Sequence, residues 1–115
     1  MKRGDIYLAN LAPRSGSEQQ GRRPVLIVSH NAFNQTQTWR SIIVIPISTS
    51  LSQAKRSLTV IPIPQGMGNL SANSFALCHQ VTTLDRSKLE KLIGSLPSEI
   101  MDEIEQGLKA AMDLS

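Results

Sequence analysis

Cysteine is almost missing from this chain: Cys78 is the only one in 115 residues. An internal disulfide is therefore excluded, which fits a reducing, cytoplasmic compartment. No stretch approaches the run of about 20 apolar residues that a spanning helix needs, so no membrane span is expected. Acids are scarce over residues 1–84, where Asp5 and Glu18 meet eight Lys and Arg for a net charge of +6. Residues 85–115 reverse the balance to −3. A basic body with an acidic tail points to an anionic partner, although small soluble domains are often mildly basic. No repeat, low-complexity tract or interdomain linker is visible. The opening Met1-Lys2-Arg3-Gly4-Asp5 does not read as a signal peptide. No glycine-rich phosphate loop precedes a helix, and no Cys/His spacing suggests zinc, so neither cofactor nor metal is expected.

The length suits one domain, residues 1–115, burying about two-thirds of its unfolded surface. Ile6–Leu11 alternates weakly and reads as a first strand. Residues 12–24 form a long polar loop. Val25–Ser29 is a short buried strand, and residues 30–40 read as another loop anchored by Phe33 and Trp39. Ile42–Ile47, Leu58–Ile63 and Ser74–Val81 complete five strands, with Pro62 marking an edge or bulge. Asp85 is suited to cap a short helix from Arg86 to Ile93, closed by Gly94. Pro97 suits the first position of a second helix, where Ile100, Ile104, Leu108 and Ala111/Met112 recur at helical spacing beside Met101. Strands followed by helices give a mainly β fold, a small curled sheet or barrel with a C-terminal helix.

Three places carry chemistry. The first is Gly16-Ser17-Glu18-Gln19-Gln20-Gly21-Arg22-Arg23-Pro24, leading into Val25-Leu26-Ile27-Val28. Arg23 offers a permanently charged, planar fork that matches phosphate oxygens. Pro24 fixes the backbone just after it, and Gly21 lets the chain turn. Glu18 can orient Arg23, accept a proton or bond a base edge; equally, an ion pair within the loop would only stiffen it. The second is Pro46-Ile47-Ser48-Thr49-Ser50, where hydroxyls follow a buried run. They suit phosphate donation and also ordinary turn chemistry. The third is His79, which period two places beside Phe75, Leu77 and Val81, with Ala76, Cys78 and Gln80 opposite. Its imidazole can move protons near neutral pH, or be held by backbone as a partly buried histidine. His30 is a weaker candidate of the same kind, and Cys78 reads as core.

Read together, these blocks resemble the MazF/PemK toxins of bacterial toxin–antitoxin modules. Arg3-Gly4-Asp5-Ile6-Tyr7, the Gly16–Val28 segment, Val44–Ser50 and Leu77–Asp85 follow in the family's order, covering nearly the whole chain. The resemblance implies an SH3-like β-barrel of the CcdB/PemK type with a C-terminal helix, working as a homodimer. It implies a metal-independent endoribonuclease that cuts single-stranded RNA at a short sequence, and a cognate antitoxin whose flexible acidic tail fills the RNA groove. Arg23 matches the family's arginine before proline. Ser48 stands where the family has a threonine, with Thr49 next to it. Position 79, usually acidic, is His79, and a plasmid-borne subgroup's arginine two residues earlier is Leu77, so that subgroup's acid–base pair does not carry over.

The expected reaction uses the RNA's own 2′-hydroxyl as nucleophile. Arg23 would stabilise charge on the phosphate, Ser48 or Thr49 would hydrogen-bond it, and Glu18, then His79, would be the base. Arg14, Ser17, Gln19, Arg22, Lys55 and Arg56 would hold the surrounding RNA, and Phe33 or Trp39 would stack a base or simply anchor a loop. The rival readings are a non-enzymatic DNA-gyrase poison like CcdB, and an RNA-binding relative disarmed by Ser48 and His79.

Overall fold

A computed structural model describes residues 1–11, 16, 21–52 and 58–114. Seven strands run in chain order: β1 Asp5–Asn10, β2 Arg22–Ile27, β3 Ser41–Ser48, β4 Val60–Ile63, β5 Ser74–Leu77, β6 Thr82–Asp85 and β7 Leu89–Ser95. A short helix α1, Asn31–Asn34, lies between β2 and β3, and a long helix α2, Ser98–Met112, follows β7. The strands form one antiparallel sheet ordered β4-β5-β3-β2-β1-β7, with β6 also pairing β3. The mainly β architecture with a C-terminal helix is as expected.

The centre of the sheet is covered on both faces, which explains the unbroken apolar runs of β2 and β3. Leu26, Ile45 and Ile47 face one cluster with Ile6, Ile61, Ile63, Met101 and Ile104. Val25, Ile27, Ile42 and Val44 face the other, with Ala9, Leu11 and Leu84. Helix α2 covers the first cluster through Met101, Ile104 and Gly107, all buried. Its fit is close. A Cβ on Gly107 would stand 2.7 Å from Cys78 Sγ and 3.2 Å from Ile61. Glycine therefore does here what an apolar side chain does elsewhere on the helix face. No helix among the described residues is long and apolar enough to cross a membrane.

The sheet is curled but not closed by a ladder. Edge strands β4 and β7 do not pair. A 3-10 turn at Met67–Asn69 packs on β7, where Asn69 Nδ2 donates to Ile93 O at 3.0 Å. Gly68 and Gly94 touch so closely that a Cβ on Gly94 would lie 2.4 Å from Gly68 O. The expected barrel is thus not closed; a turn packs on β7 where strand pairing would have completed the ring.

Several expected elements differ. Arg86–Ile93 is not a helix: Arg86–Lys88 makes one 3-10 turn, and Leu89–Ser95 is strand β7. The open edge of β1 takes this segment as its partner, a tertiary demand that outweighs a modest helical pattern. Asp85 still caps, accepting from Ser87 N at 2.9 Å. Gly94 serves close approach rather than helix termination. Pro97 precedes the first helical residue of α2, Ser98, instead of occupying it. Residues 30–40 contain α1, with His30 as its N-cap, Nδ1 accepting from Ala32 N at 2.9 Å. The strand expected over Ser74–Val81 stops at Leu77, and a 3-10 turn at Cys78–Gln80 separates β5 from β6.

Candidate active site

The pairing of β2 with β3 brings the arginine block to the hydroxyl block. Val25 is opposite Pro46, Leu26 opposite Ile45 and Ile27 opposite Val44. Arg23 and Ser48 each stand two residues beyond the Val25–Pro46 pair, at the same end of neighbouring strands. Two segments far apart in sequence therefore deliver a guanidinium and a hydroxyl to one edge of the molecule.

Arg22 and Arg23 are the first residues of β2 and are both exposed. Strand alternation sends them to opposite faces. Arg22 is committed to Glu90, its Nε donating to Oε1 at 2.9 Å and its second nitrogen lying 3.5 Å from Oε2. This contact straddles β1, which lies between β2 and β7. Arg22, expected to hold RNA, thus has a carboxylate partner within the fold. Arg23, next in the chain, pairs with Ala9 in the backbone ladder.

Ser48 closes β3 and is buried, 7% exposed, whereas Thr49 is exposed. The Ser48 oxygen accepts from Ser50 N at 3.1 Å, which fixes its position and leaves its proton to donate. His79 lies across β3 from β2, in the Cys78–Gln80 turn, not on a strand face. Its Nδ1 is 3.1 Å from Thr59 Oγ1, tying that turn to the chain just before β4. The alternation that grouped His79 with Phe75, Leu77 and Val81 fails because the strand ends first. Glu18, Arg14, Ser17, Gln19, Lys55 and Arg56 lie outside the described residues.

Cys78 is core, as expected. Its Sγ donates to Ile104 O at 3.8 Å, and burial pushes the thiol up to about 11. That leaves it a neutral packing group at physiological pH. His30, the weaker proton-transfer candidate, spends a ring nitrogen on capping α1.

One residue that sequence reasoning placed in a helix turns out to organise the surface. Arg86 donates to the carbonyls of Trp39, Asn34, Phe33 and Thr36 at 3.0–3.1 Å. Beside it, the Ser87 hydroxyl and amide and the Arg40 guanidinium hold the Asp85 carboxyl well below the usual range. The only cue in the sequence was an Asp-Arg pair at a turn, which a helix start explains equally well.

A small antiparallel sheet that carries a guanidinium and hydroxyls at one strand end, with a C-terminal helix packed on it, defines a mainly β domain. The chain belongs to the PemK-like, MazF-like toxins of type II toxin–antitoxin systems, whose family pattern matches residues 2–112. It is 33% identical over 114 residues to endoribonuclease MazF of Staphylococcus saprophyticus, covering 99% of this chain and 92% of that one. It is also 33% identical to endoribonuclease EndoA of Bacillus subtilis, covering 99% and 96%. The fold matches the crystal structure of MazF from Deinococcus radiodurans with a TM-score of 0.79, at 24% identity over 98% of this chain and 96% of that one. It also matches a mycobacterial endoribonuclease solved with its cognate antitoxin, with a TM-score of 0.75, at 21% identity over 100% and 95%.

Proposed function

We propose that this toxin is an endoribonuclease that cuts single-stranded RNA at a short sequence without a metal ion, using the substrate's 2′-hydroxyl. The observation that carries the reading is the register that puts Arg23 and Ser48 at one end of β2 and β3. Family membership and the endoribonuclease relatives supply the reaction class. The net +6 over residues 1–84 suits a polyanionic substrate.

The 2′-oxygen attacks the adjacent phosphorus as its proton passes to a base. The bond to the 5′-oxygen then breaks as that oxygen takes up a proton, leaving a 2′,3′-cyclic phosphate and a 5′-hydroxyl; attack of water on the cyclic ester would give the 3′-phosphate. The protein must hold the phosphate, stabilise its extra charge in the transition state and move protons. Arg23 bears the charge on the phosphate, an interaction whose loss costs a few kcal/mol of barrier, about a hundredfold or more in rate. Ser48 donates to a phosphate oxygen from a position that the turn has already fixed. Exposed Thr49 is the second donor. Glu18 is the first choice of base and His79 the second. The protein acts as a cytoplasmic homodimer, and an antitoxin with a flexible acidic tail competes for the same basic groove.

The test is incubation of the purified protein with a long single-stranded RNA in EDTA, with mapping of the cut sites and their ends. Discrete cuts leaving 5′-hydroxyl ends support the reading. Intact RNA from a folded protein, tried on several RNAs, rejects it; gyrase-dependent DNA breaks in the same preparation would point to a protein-directed poison.

A further inference from the structure

Phe33 and Trp39 are stacked on each other, with ring centroids 4.6 Å apart and planes 25° apart. Yet they remain 42% and 45% exposed. Rings that anchor a loop bury themselves, and these do not. The segment also has a support besides the rings, because Arg86 gathers the carbonyls of Phe33, Asn34, Thr36 and Trp39. Trp39 Nε1 donates to Ser41 O at 2.8 Å, which fixes the indole at the start of β3. His30 adds a third ring, edge-on to Phe33 at 6.2 Å. The result is a preorganised, solvent-facing aromatic platform, the kind of surface that marks an interaction site.

We infer that the Phe33–Trp39 platform stacks an unpaired nucleobase of single-stranded RNA, away from the bond that is cut. The inference rests on the ribonuclease reading for the identity of the polymer. Flat rings in a row extend a base stack, and every base has a π-face, so such a site is tolerant of sequence. The charge around it suits a phosphate chain. The charged side chains at this segment are Arg86, which contacts it, and Arg40, which follows Trp39 directly, with Asp85 the carboxylate against Arg40. The platform precedes Ser41, while the proposed cleavage site is at Ser48, the far end of the same strand. At about 3.3 Å per residue the two are roughly 23 Å apart. Only a strand several nucleotides long can touch both, so the platform extends the footprint rather than reading the cut base.

Trp39 is the chain's only tryptophan, so its fluorescence reports on the platform directly. The experiment titrates the full chain with a 2′-O-methyl RNA of about 12 nucleotides, which the proposed reaction cannot cut. An abasic oligomer of the same length and a poly-glutamate peptide are titrated alongside. The expected result is quenching by the oligomer that carries bases and not by the other two. Phe33→Leu keeps an apolar side chain and the reporter but loses the ring, and should bind the 12-mer about tenfold more weakly. Equal quenching by the abasic oligomer, quenching by the peptide alone, or unchanged affinity in Phe33→Leu would overturn the inference. A parallel digestion of unmodified RNA separates the two readings. Cleavage without quenching removes the platform and leaves the ribonuclease; base-dependent quenching without cleavage keeps the platform and removes the ribonuclease.

Discussion

Arg22 reaches across β1 to Glu90, with Nε 2.9 Å from Oε1, while the adjacent Arg23 faces the other side of β2. The fold thus gives two neighbouring arginines different surroundings. Arg22 ties β2 to β7, and Arg23 is presented at the strand end that holds Ser48. Both members of the Arg22–Glu90 pair are substantially solvated, so the contact contributes little to stability. Glu90→Ala should lower stability by less than about 1 kcal/mol in a denaturant titration. A loss of several kcal/mol would show that the pair holds the sheet together.

Gly107 and Cys78 make a second testable contact. Gly→Ala in a helix interior normally stabilises by about 1 kcal/mol. Here the new Cβ would meet Cys78 Sγ at 2.7 Å, so Gly107→Ala should instead destabilise by about 1–3 kcal/mol. Cys78→Ala in the same chain should recover much of that loss, because it removes the sulfur from the clash. Thermal melts of the two single variants and the double variant measure the coupling directly.

The same thiol makes stability depend on alkaline pH. Its value in the fold is about 11, raised by burial, against about 9 when solvated. Between those values the unfolded chain releases a proton that the folded chain keeps, so stability falls as pH rises from about 9 to 11. Below that window the stabilisation is fully present. The loss should be on the order of 2 kcal/mol, read as the difference between the wild-type and Cys78→Ala pH profiles. Alkylation at pH 8 should be slow in the native protein and fast in denaturant.

Arg86 should be intolerant of even conservative change. Lysine cannot fork to the carbonyls of Phe33, Asn34, Thr36 and Trp39 at once. Arg86→Lys should cost about 2–4 kcal/mol and shift Trp39 emission as the indole loses its support. Unchanged emission and stability would mean that the segment holds itself.

How much of this was written plainly in the chain varies with the origin of the constraint. Local patterns were legible: the β-branched apolar run of β3, the helical spacing of Ile100, Ile104 and Leu108, and the capping role of Asp85. What was not legible depended on distant partners. Leu89, Leu92 and Ile93 fit a helix face, but β1 needed an edge partner and took them as a strand. His79 sat in an apparent strand that breaks at Cys78, because β5 and β6 pair different parts of β3 and need a turn between them. The arginine block and the hydroxyl block were both visible as chemistry. That they share one end of the sheet follows from the register of β2 on β3, which no local pattern encodes. Glu90 as the partner of Arg22 is likewise a product of strand order.

The central claim is that Arg23 carries the charge of a ribonuclease reaction. The most direct measurement compares wild type and Arg23→Ala on one single-stranded RNA in EDTA, under single-turnover conditions, with melting curves for both. The account predicts discrete cuts with 5′-hydroxyl ends for wild type, and cleavage slowed about a hundredfold or more in Arg23→Ala at unchanged melting temperature. Wild-type rates from a folded Arg23→Ala protein would contradict it.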